Sequence, residues 1–163
     1  MLLLLKRLND IHFSSLMAVY EEGNRENGDD LYPQETPERR LALAEADFHD
    51  YLRQVFFPTP GAVYAIWESD GKYLSALRLE PYRDGFLIAG LETAPEQRKK
   101  GYASQLLAAV QAHYSGEKLY SHVAKDNIAS LATHRKCGFR RISEHAVYID
   151  GSANNRCCTL LYE

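Results

Sequence analysis

The sequence predicts an α/β domain built on a mixed β-sheet, with elements in the order βααβββαβαββ. Three observations support this fold class. Residues 87–91 are apolar without alternation, as expected of a strand that is covered on both faces. Residues 103–114 carry apolar side chains at helical spacing, so a helix that packs on the sheet is expected next. Glycine-containing turns separate short strand-like segments elsewhere, which favours hairpins.

The bulk composition narrows the class of protein. With 163 residues, we expect a single domain that spans residues 1–163. The formal net charge of −3 predicts binding neither to nucleic acid nor to an anionic membrane. The apolar run at residues 1–5 is too short to span a bilayer and lacks the basic segment of a secretory signal. An odd number of cysteines, two of them adjacent, predicts no disulfide framework and favours a reducing cytoplasm.

The first third of the chain predicts one strand and two helices. Residues 1–8 have the apolar content of a strand, and residues 10–23 have apolar side chains on one helical side. The acidic stretch at residues 21–38 predicts a loop, or a loop with a fragment of helix. Thr36 and Pro37 are typical of a cap and a first helical residue, so the second helix is expected to start there and continue toward Val55.

The rest of the chain predicts a meander followed by a crossover. Its expected strands are residues 62–68, 73–82, 87–93, 119–124, 139–150 and 156–162, the last two forming a hairpin. A helix connects the third and fourth of these strands, which argues that they are parallel neighbours. Residues 127–136 predict a short helix that Gly138 closes.

A basic turn lies between the buried strand at residues 87–93 and the amphipathic helix. Main-chain N–H groups at a helix start have no intrahelical partner, and the helix dipole favours negative charge there. Gly101 allows the main chain to approach an anion closely, and Arg98, Lys99 and Lys100 add positive charge. The turn is therefore a candidate phosphate cradle. The alternative is a solvated basic helix start that binds nothing, because the motif by itself is loose.

At this point the chain resembles the GNAT superfamily of N-acetyltransferases over nearly its whole length. Residues 98–103, Arg-Lys-Lys-Gly-Tyr-Ala, are similar to the loop with which that family binds the pyrophosphate of acetyl-CoA. Residues 127–139, which begin with Asn127 and end with Gly138-Phe139, are similar to its second cofactor segment. Two such motifs in the right order are more specific than either one alone.

The resemblance implies a mixed, mostly antiparallel sheet whose central parallel strands splay apart, with flanking helices. Acetyl-CoA, as co-substrate, would lie between the strand that ends at Thr93 and the strand that begins at Leu119. Backbone groups of Leu91 and Thr93 would bond its pantetheine arm, and Asn127 would bond the arm or hold the start of the last helix. The residues expected at the pyrophosphate are Arg98, Lys99, Lys100, Gly101, Tyr102, Ala103 and Ser104.

The reaction implied is direct transfer of the acetyl group to a primary amine of a small molecule or peptide, in a ternary complex. One position departs from the family pattern: His134 stands where the family commonly has the tyrosine that protonates the departing thiolate. A histidine with a pKa of about 6.5 is a poorer donor at neutral pH than a tyrosine, although the dipole of a helix end favours the imidazolium. His134 is thus either the acid or a helix-end residue that packs or meets solvent.

Two residues are candidates for a base, which would take a proton from an ammonium. Glu92 is the first, because it is the only charged residue in the apolar central strand, where a lone carboxylate is costly unless it is paired or faces a cleft. His122 is the second, on the adjacent strand where some members of the family carry a catalytic glutamate. The structural alternatives are an ion pair for Glu92 and a hydrogen-bonded sheet position for His122.

The acidic stretch at residues 21–38 lies where the family usually shapes its acceptor pocket. Its carboxylates would suit a cationic acceptor such as a polyamine, an aminoglycoside or a lysine side chain, or they form only a solvated face. No metal is expected, because His134 and Cys137 lack a second pair of ligands at zinc spacing. A competing hypothesis, motivated by His134, is a noncatalytic acyl-CoA sensor or interaction module. Monomer and homodimer are both compatible with the sequence.

Overall fold

The computed structural model describes residues 1–163. The strands are β1 (Leu2–Leu5), β2 (Val63–Ser69), β3 (Lys72–Tyr82), β4 (Gly85–Thr93), β5 (Lys118–Ala124), β6 (Arg140–Ser143), β7 (Ala146–Val147), β8 (Ala153–Asn154) and β9 (Cys157–Tyr162). The helices are α1 (Phe13–Val19), α2 (Glu21–Leu31), α3 (Pro37–Tyr51), α4 (Tyr102–His113) and α5 (Ile128–Lys136). A π-helical turn, Leu52–Phe56, extends α3, and the one-turn 3₁₀ helices are Leu8–Asp10 and Pro95–Gln97. None of the helices combines the length and the apolar character needed to cross a membrane.

Seven strands form one mixed sheet in the order β1-β2-β3-β4-β5-β9-β6. Every neighbouring pair is antiparallel except β4 and β5, which are parallel because α4 connects them as a crossover. The predicted α/β class, the mostly antiparallel sheet and the central parallel pair are confirmed.

Two hydrophobic clusters cover the two faces of the sheet. On one face, Leu106 and Leu107 of α4 pack against strand residues such as Val63. On the other face, Leu16 of α1 and Phe56 pack against strand residues such as Tyr64. Since consecutive residues of a strand point to opposite faces, a strand buried on both sides must be apolar at every position, which accounts for the uninterrupted apolar runs.

The strands β4 and β5 part in the middle of the sheet. Their pairing extends only from Gly85 opposite Lys118 to Ile88 opposite Ser121, although both strands continue. On its other edge β4 has a bulge, because its register with β3 shifts after Ala89. Gly90 in this bulge has a φ of 60°, a left-handed conformation that glycine adopts without strain, and its carbonyl accepts a hydrogen bond of 2.5 Å from the Tyr20 hydroxyl. The bulge bends β4 away from β5 and leaves a gap beside Thr93.

The acidic stretch at residues 21–38 was predicted as a loop or as a loop with a fragment of helix; the first alternative is wrong, because residues 21–31 form the 11-residue helix α2. Acidic residues in its first turn complement the helix dipole, and Glu21 forms an ion pair of 2.7 Å with Arg25 one turn later. The helix packs through Asn24 and Gly28, which are its buried residues, instead of through an apolar stripe. A hydrophobicity pattern therefore does not reveal it.

The single strand predicted at residues 139–150 is also wrong, because the chain divides there. β6 pairs with β9 in the main sheet, and β7 pairs with β8 in a separate two-stranded ribbon. Ser143 and Glu144 begin the break: the main-chain N–H of His145 donates to the Ser143 hydroxyl, an interaction typical of a turn. The predicted hairpin pairing of this segment with residues 156–162 holds only for β6.

Candidate active site

A cleft of about 700 Å³ opens beside the gap between β4 and β5. Its walls are the end of β4, the basic turn with the start of α4, and the start of α5. The predicted cofactor-binding residues that line it are Leu91, Thr93, Arg98, Lys99, Gly101, Tyr102, Ala103, Ser104 and Asn127. Lys100 is the exception: its ammonium group donates to the Gln97 side chain at 3.0 Å, and the residue does not line the cleft.

From Lys99 onward, the main-chain amides of the basic turn and of the start of α4 have no partner within the protein, whereas the Arg98 N–H donates to the Pro95 carbonyl at 3.4 Å. Helix α4 begins at Tyr102, and the hydrogen bond from the Gln105 N–H to the Gly101 carbonyl, 3.0 Å, is the first at its start. None of the N–H groups of residues 99–104 donates to a protein acceptor. Gly101 has a φ of 84°, and the turn before it takes Lys99 to 62°, so the chain reverses just before the helix starts. The arrangement is an anion site made of main-chain donors at the positive end of a helix dipole.

Helix α5 contributes a wall that the sequence analysis did not identify. Ala129, Ala132, Thr133 and Lys136 line the cleft, and their spacing of three or four residues places them on one side of the helix. Two alanines on this side leave room for a ligand, and Lys136 adds a positive charge. The sequence signal for this wall is a set of small and polar residues at helical spacing. Such a pattern is a weak indicator of a buried or ligand-facing side, because it contains no large apolar residue.

Asn127 holds the start of α5, which is one of the two roles predicted for it. Its side-chain oxygen accepts a hydrogen bond of 3.0 Å from the Ser130 N–H and so caps the start of α5. Asn127 also lines the cleft, and its side-chain amide nitrogen makes no hydrogen bond within the protein.

Glu92 lies at the wall of the cleft within a group of charges. Its carboxylate is 4.0 Å from the guanidinium of Arg98, which also forms a close ion pair with Glu22 of α2. Burial raises the pKa of Glu92; Arg98 opposes this rise, and the negative charges of Glu22 and Glu26 add to it. Both environments that the sequence allowed for Glu92 are therefore present: the carboxylate faces a cleft, and it lies near a basic residue. Glu22 was not predicted as an individual site residue.

The other predicted base, His122, does not line the cleft. Its Nε2 donates to the Val147 carbonyl at 3.0 Å, and its Nδ1 is 3.1 Å from the Thr159 hydroxyl. Burial lowers its pKa. Since both ring nitrogens have partners, the geometry favours the hydrogen-bonded sheet position over a free base.

His134 is almost completely buried, at 1% relative exposure, and does not line the cleft. Its Nδ1 donates to the Ser130 carbonyl at 2.8 Å, its Nε2 has no partner, and its ring packs edge-on against Phe139. Burial lowers the pKa of His134. This direction is opposite to the rise in pKa that the sequence predicted from the position of His134 at a helix end. The neutral imidazole is therefore the form that the fold favours.

Four of the five acidic residues of α2 divide into two groups, and the fifth, Asp30, forms no ion pair and does not line the cleft. Glu21 and Asp29 have partners away from the cleft, Arg25 at 2.7 Å and Arg40 at 3.1 Å. Glu22 contacts Arg98 and lines the cleft, and Glu26, one helical turn later, is close enough to raise the pKa of Glu92. Only the second group is placed to act on a molecule bound in the cleft.

A splayed parallel strand pair beside a helix-start anion site is the arrangement that the resemblance to the acetyltransferases implied. The chain belongs to the acetyltransferase (GNAT) family: the model of that family matches residues 20–139. This family uses acetyl-CoA. No curated protein matches the sequence of this chain.

Solved structures of acetyltransferases share the fold. The PaiA N-acetyltransferase from Thermoplasma acidophilum, in complex with coenzyme A, superposes with a TM-score of 0.65 at 12% identity, covering 100% of this chain and 99% of that one. The aminoglycoside 6′-acetyltransferase type Ii has a TM-score of 0.63 at 12% identity, covering 99% and 96%. A chimera of the spermidine N-acetyltransferase SpeG from Vibrio cholerae and hSSAT has a TM-score of 0.56 at 18% identity, covering 98% and 93%. At these identities the likeness establishes the fold alone.

Proposed function

We propose that this protein transfers the acetyl group of acetyl-CoA to a primary amine of a small molecule or peptide, by direct attack within a ternary complex. The proposal rests above all on the row of unpartnered main-chain amides at residues 99–104, all but one of which belong to residues that line a cleft beside the gap between β4 and β5. We also propose that residues 1–163 form one catalytic domain. Its three free cysteines support a reducing, cytoplasmic setting.

The residues of the cleft fit the chemistry of coenzyme A. A diphosphate needs several convergent donors and positive charge, which the amides of residues 99–104, Arg98, Lys99 and Lys136 offer. The edge of β4 that faces β5 is unpaired beyond Ile88, so the backbone of Leu91 and Thr93 is available to an amide-containing arm. The bound cofactor supplies an acetyl thioester.

Glu92 is the base in this proposal. An amine attacks a thioester only as the neutral form, so a proton must leave the ammonium, directly or through water. Glu92 lies at the cleft wall. Its partner on β3 is Ala76, which belongs to the hydrophobic cluster on the face of the sheet that α1 covers. Since paired residues of neighbouring strands point to the same face, Glu92 points to the face of the sheet on which α1 and α2 lie. Burial raises the pKa of the carboxylate, which makes it a stronger base than an exposed glutamate.

The charges at the cleft favour a cationic acceptor. Glu22, Glu26 and Glu92 form a negative surface at the end of the cleft nearest α2, and only Arg98 opposes them there. Negative groups concentrate cations and orient their approach. The acceptor classes that fit are polyamines, aminoglycosides and lysine side chains. Glu26→Gln is then expected to raise the KM for the acceptor, while Asp29→Asn, which alters the ion pair with Arg40, is the matched control.

The burial of His134 supports a second candidate function, a noncatalytic acyl-CoA sensor, since the residue at the position expected of the acid does not line the cleft. Against this, a free thiol has a pKa of about 8.5, so a departing thiolate needs less help from an acid than an alkoxide would. His134→Phe removes both ring nitrogens and keeps the edge contact with Phe139. An unchanged kcat in this variant would exclude His134 as the acid.

The test of the proposed function is a screen for acetyl transfer, in which thiol release is measured with polyamines, aminoglycosides, amino acids and peptides as acceptors. Turnover that falls sharply in Glu92→Gln, with binding of coenzyme A preserved, is the expected result. Binding of coenzyme A without turnover across the whole panel would favour the sensor. Absence of coenzyme A binding would refute both functions.

A further inference from the structure

The guanidinium of Arg98 lies between the two sites that the proposed function requires. Its Nη2 forms a close ion pair with the Glu22 carboxylate and is 4.0 Å from that of Glu92, and its Nε donates to the Thr93 carbonyl at 3.4 Å. Arg98 also directly precedes the row of free amides at residues 99–104. The same side chain thus borders the anion site on one side and the negative surface of α2 on the other.

A guanidinium in this position has two competing partners. A diphosphate on the amides of residues 99–104 carries more negative charge than one carboxylate and presents several oxygens to a planar fork of donors. The ion pair with Glu22 is partly exposed, with 39% of the Arg98 side chain and 52% of the Glu22 side chain accessible, so it is weak enough to exchange.

We infer that the ion pair between Glu22 and Arg98 is a latch: binding of the coenzyme A diphosphate draws Arg98 away from Glu22 and leaves the carboxylates of Glu22 and Glu92 without a counter-ion, ready for a cationic acceptor. This inference rests on the proposed function and adds how its two binding events are coupled. Coupling of this kind is reciprocal, so a cation bound at Glu22 also releases Arg98 toward the diphosphate.

The latch has a consequence for Glu92. Arg98 is the only neighbouring group that lowers the pKa of this carboxylate, whereas Glu22 and Glu26 raise it. When Arg98 turns to the diphosphate, Glu92 becomes more basic. The base is thus strengthened when the donor is bound.

The experiment measures the affinity for coenzyme A by calorimetry in the wild type, Glu22→Gln, Arg98→Gln and the double variant. Glu22→Gln is expected to bind coenzyme A about two- to fivefold more tightly, because the diphosphate no longer competes with an exposed ion pair. In the Arg98→Gln background, the same substitution is expected to have no such effect.

Two controls separate the latch from a general change in charge. Glu26→Gln removes the same charge from the same helix without breaking the ion pair, so a smaller change is expected. Pantetheine has no diphosphate, and its affinity is expected to be equal in the wild type and Glu22→Gln. Urea unfolding midpoints verify that every variant is folded.

Several results would overturn the inference. Equal tightening by Glu22→Gln and Glu26→Gln would show an effect of overall charge, and an unchanged or weaker affinity in Glu22→Gln would show that Arg98 does not change partners. If all variants bind coenzyme A with wild-type affinity and the wild type acetylates amines, the latch fails while the proposed function stands. If no variant binds coenzyme A, the proposed function fails first.

Discussion

Alanine substitutions at two glycines of α2, Gly23 and Gly28, test whether close contact with α3 fixes the position of α2, the helix that carries Glu22 and Glu26. A Cβ atom at Gly28 would lie 2.7 Å from the carbonyl oxygen of Arg40 on α3, whereas a Cβ at Gly23 would meet nothing within 4 Å. The two positions lie in the same helix, so replacement of each by alanine gives the same gain in helix propensity but a different steric result.

The expected magnitudes follow from these distances. Gly23→Ala is expected to stabilise the fold by up to about 1 kcal/mol, because alanine favours the helix and restricts the unfolded chain. At Gly28 the obstructing atom belongs to the backbone and cannot rotate away, and overpacking of this kind costs about 1–3 kcal/mol. Gly28→Ala is therefore expected to be less stable than Gly23→Ala by about 1–3 kcal/mol, which leaves a net destabilisation of about 0–2 kcal/mol relative to the wild type once a propensity gain of about 1 kcal/mol is subtracted.

Urea unfolding followed by circular dichroism measures both variants, with the midpoints compared at equal slope. A displaced α2 would also carry Glu22 away from Arg98, so the coenzyme A affinity of Gly28→Ala should shift in the direction of Glu22→Gln. If Gly28→Ala were as stable as Gly23→Ala, the close approach of α2 to α3 would be wrong, and the placement of Glu22 at the cleft with it.

Three further predictions concern the site and its support. Glu92→Gln should lower kcat by a factor of about 10²–10⁴, and in the wild type kcat should fall as the pH drops through the raised pKa of this base; a pH profile measures both, and unchanged turnover would exclude Glu92. The Asp84 carboxylate accepts a hydrogen bond of 2.7 Å from the Lys118 ammonium, which lowers the pKa of Asp84 to about 2. The ionised carboxylate therefore stabilises the fold above its ordinary pKa, and this contribution is lost as the pH falls from about 4 to 2. Urea midpoints of wild type and Asp84→Asn should differ at pH 7 and converge near pH 2, and a constant difference would contradict this. Tyr20→Phe removes the donor to the carbonyl of Gly90, an exposed residue that water can reach, and should cost about 0.5–1.5 kcal/mol in thermal unfolding; an unchanged stability would show that the bulge does not depend on this bond.

The sequence predicted the fold where local patterns and topology agree. The crossover between residues 87–93 and 119–124 predicted a parallel pair, because a strand that returns through a helix lies parallel to the first, and β4 and β5 are parallel. Helix α2 was predicted only as one alternative, a fragment of helix within a loop, since it packs through Asn24 and Gly28 and no hydrophobic stripe marks it. The division of residues 139–150 into β6 and β7 depends on partners, β9 and β8, that only the folded chain brings near.

The sequence by itself determined the anion site, because Gly101, the helix start at Tyr102 and the basic residues before it are local features of the chain. Only the tertiary structure decided the partners of the charged side chains: Arg98 lies against Glu22, more than 70 residues away in the chain, and His134 is enclosed by the core. The physical reason is one of range. Backbone conformation near a glycine or a helix start depends on a few neighbouring residues, whereas the pKa of a side chain depends on burial and on charges that distant segments bring to it.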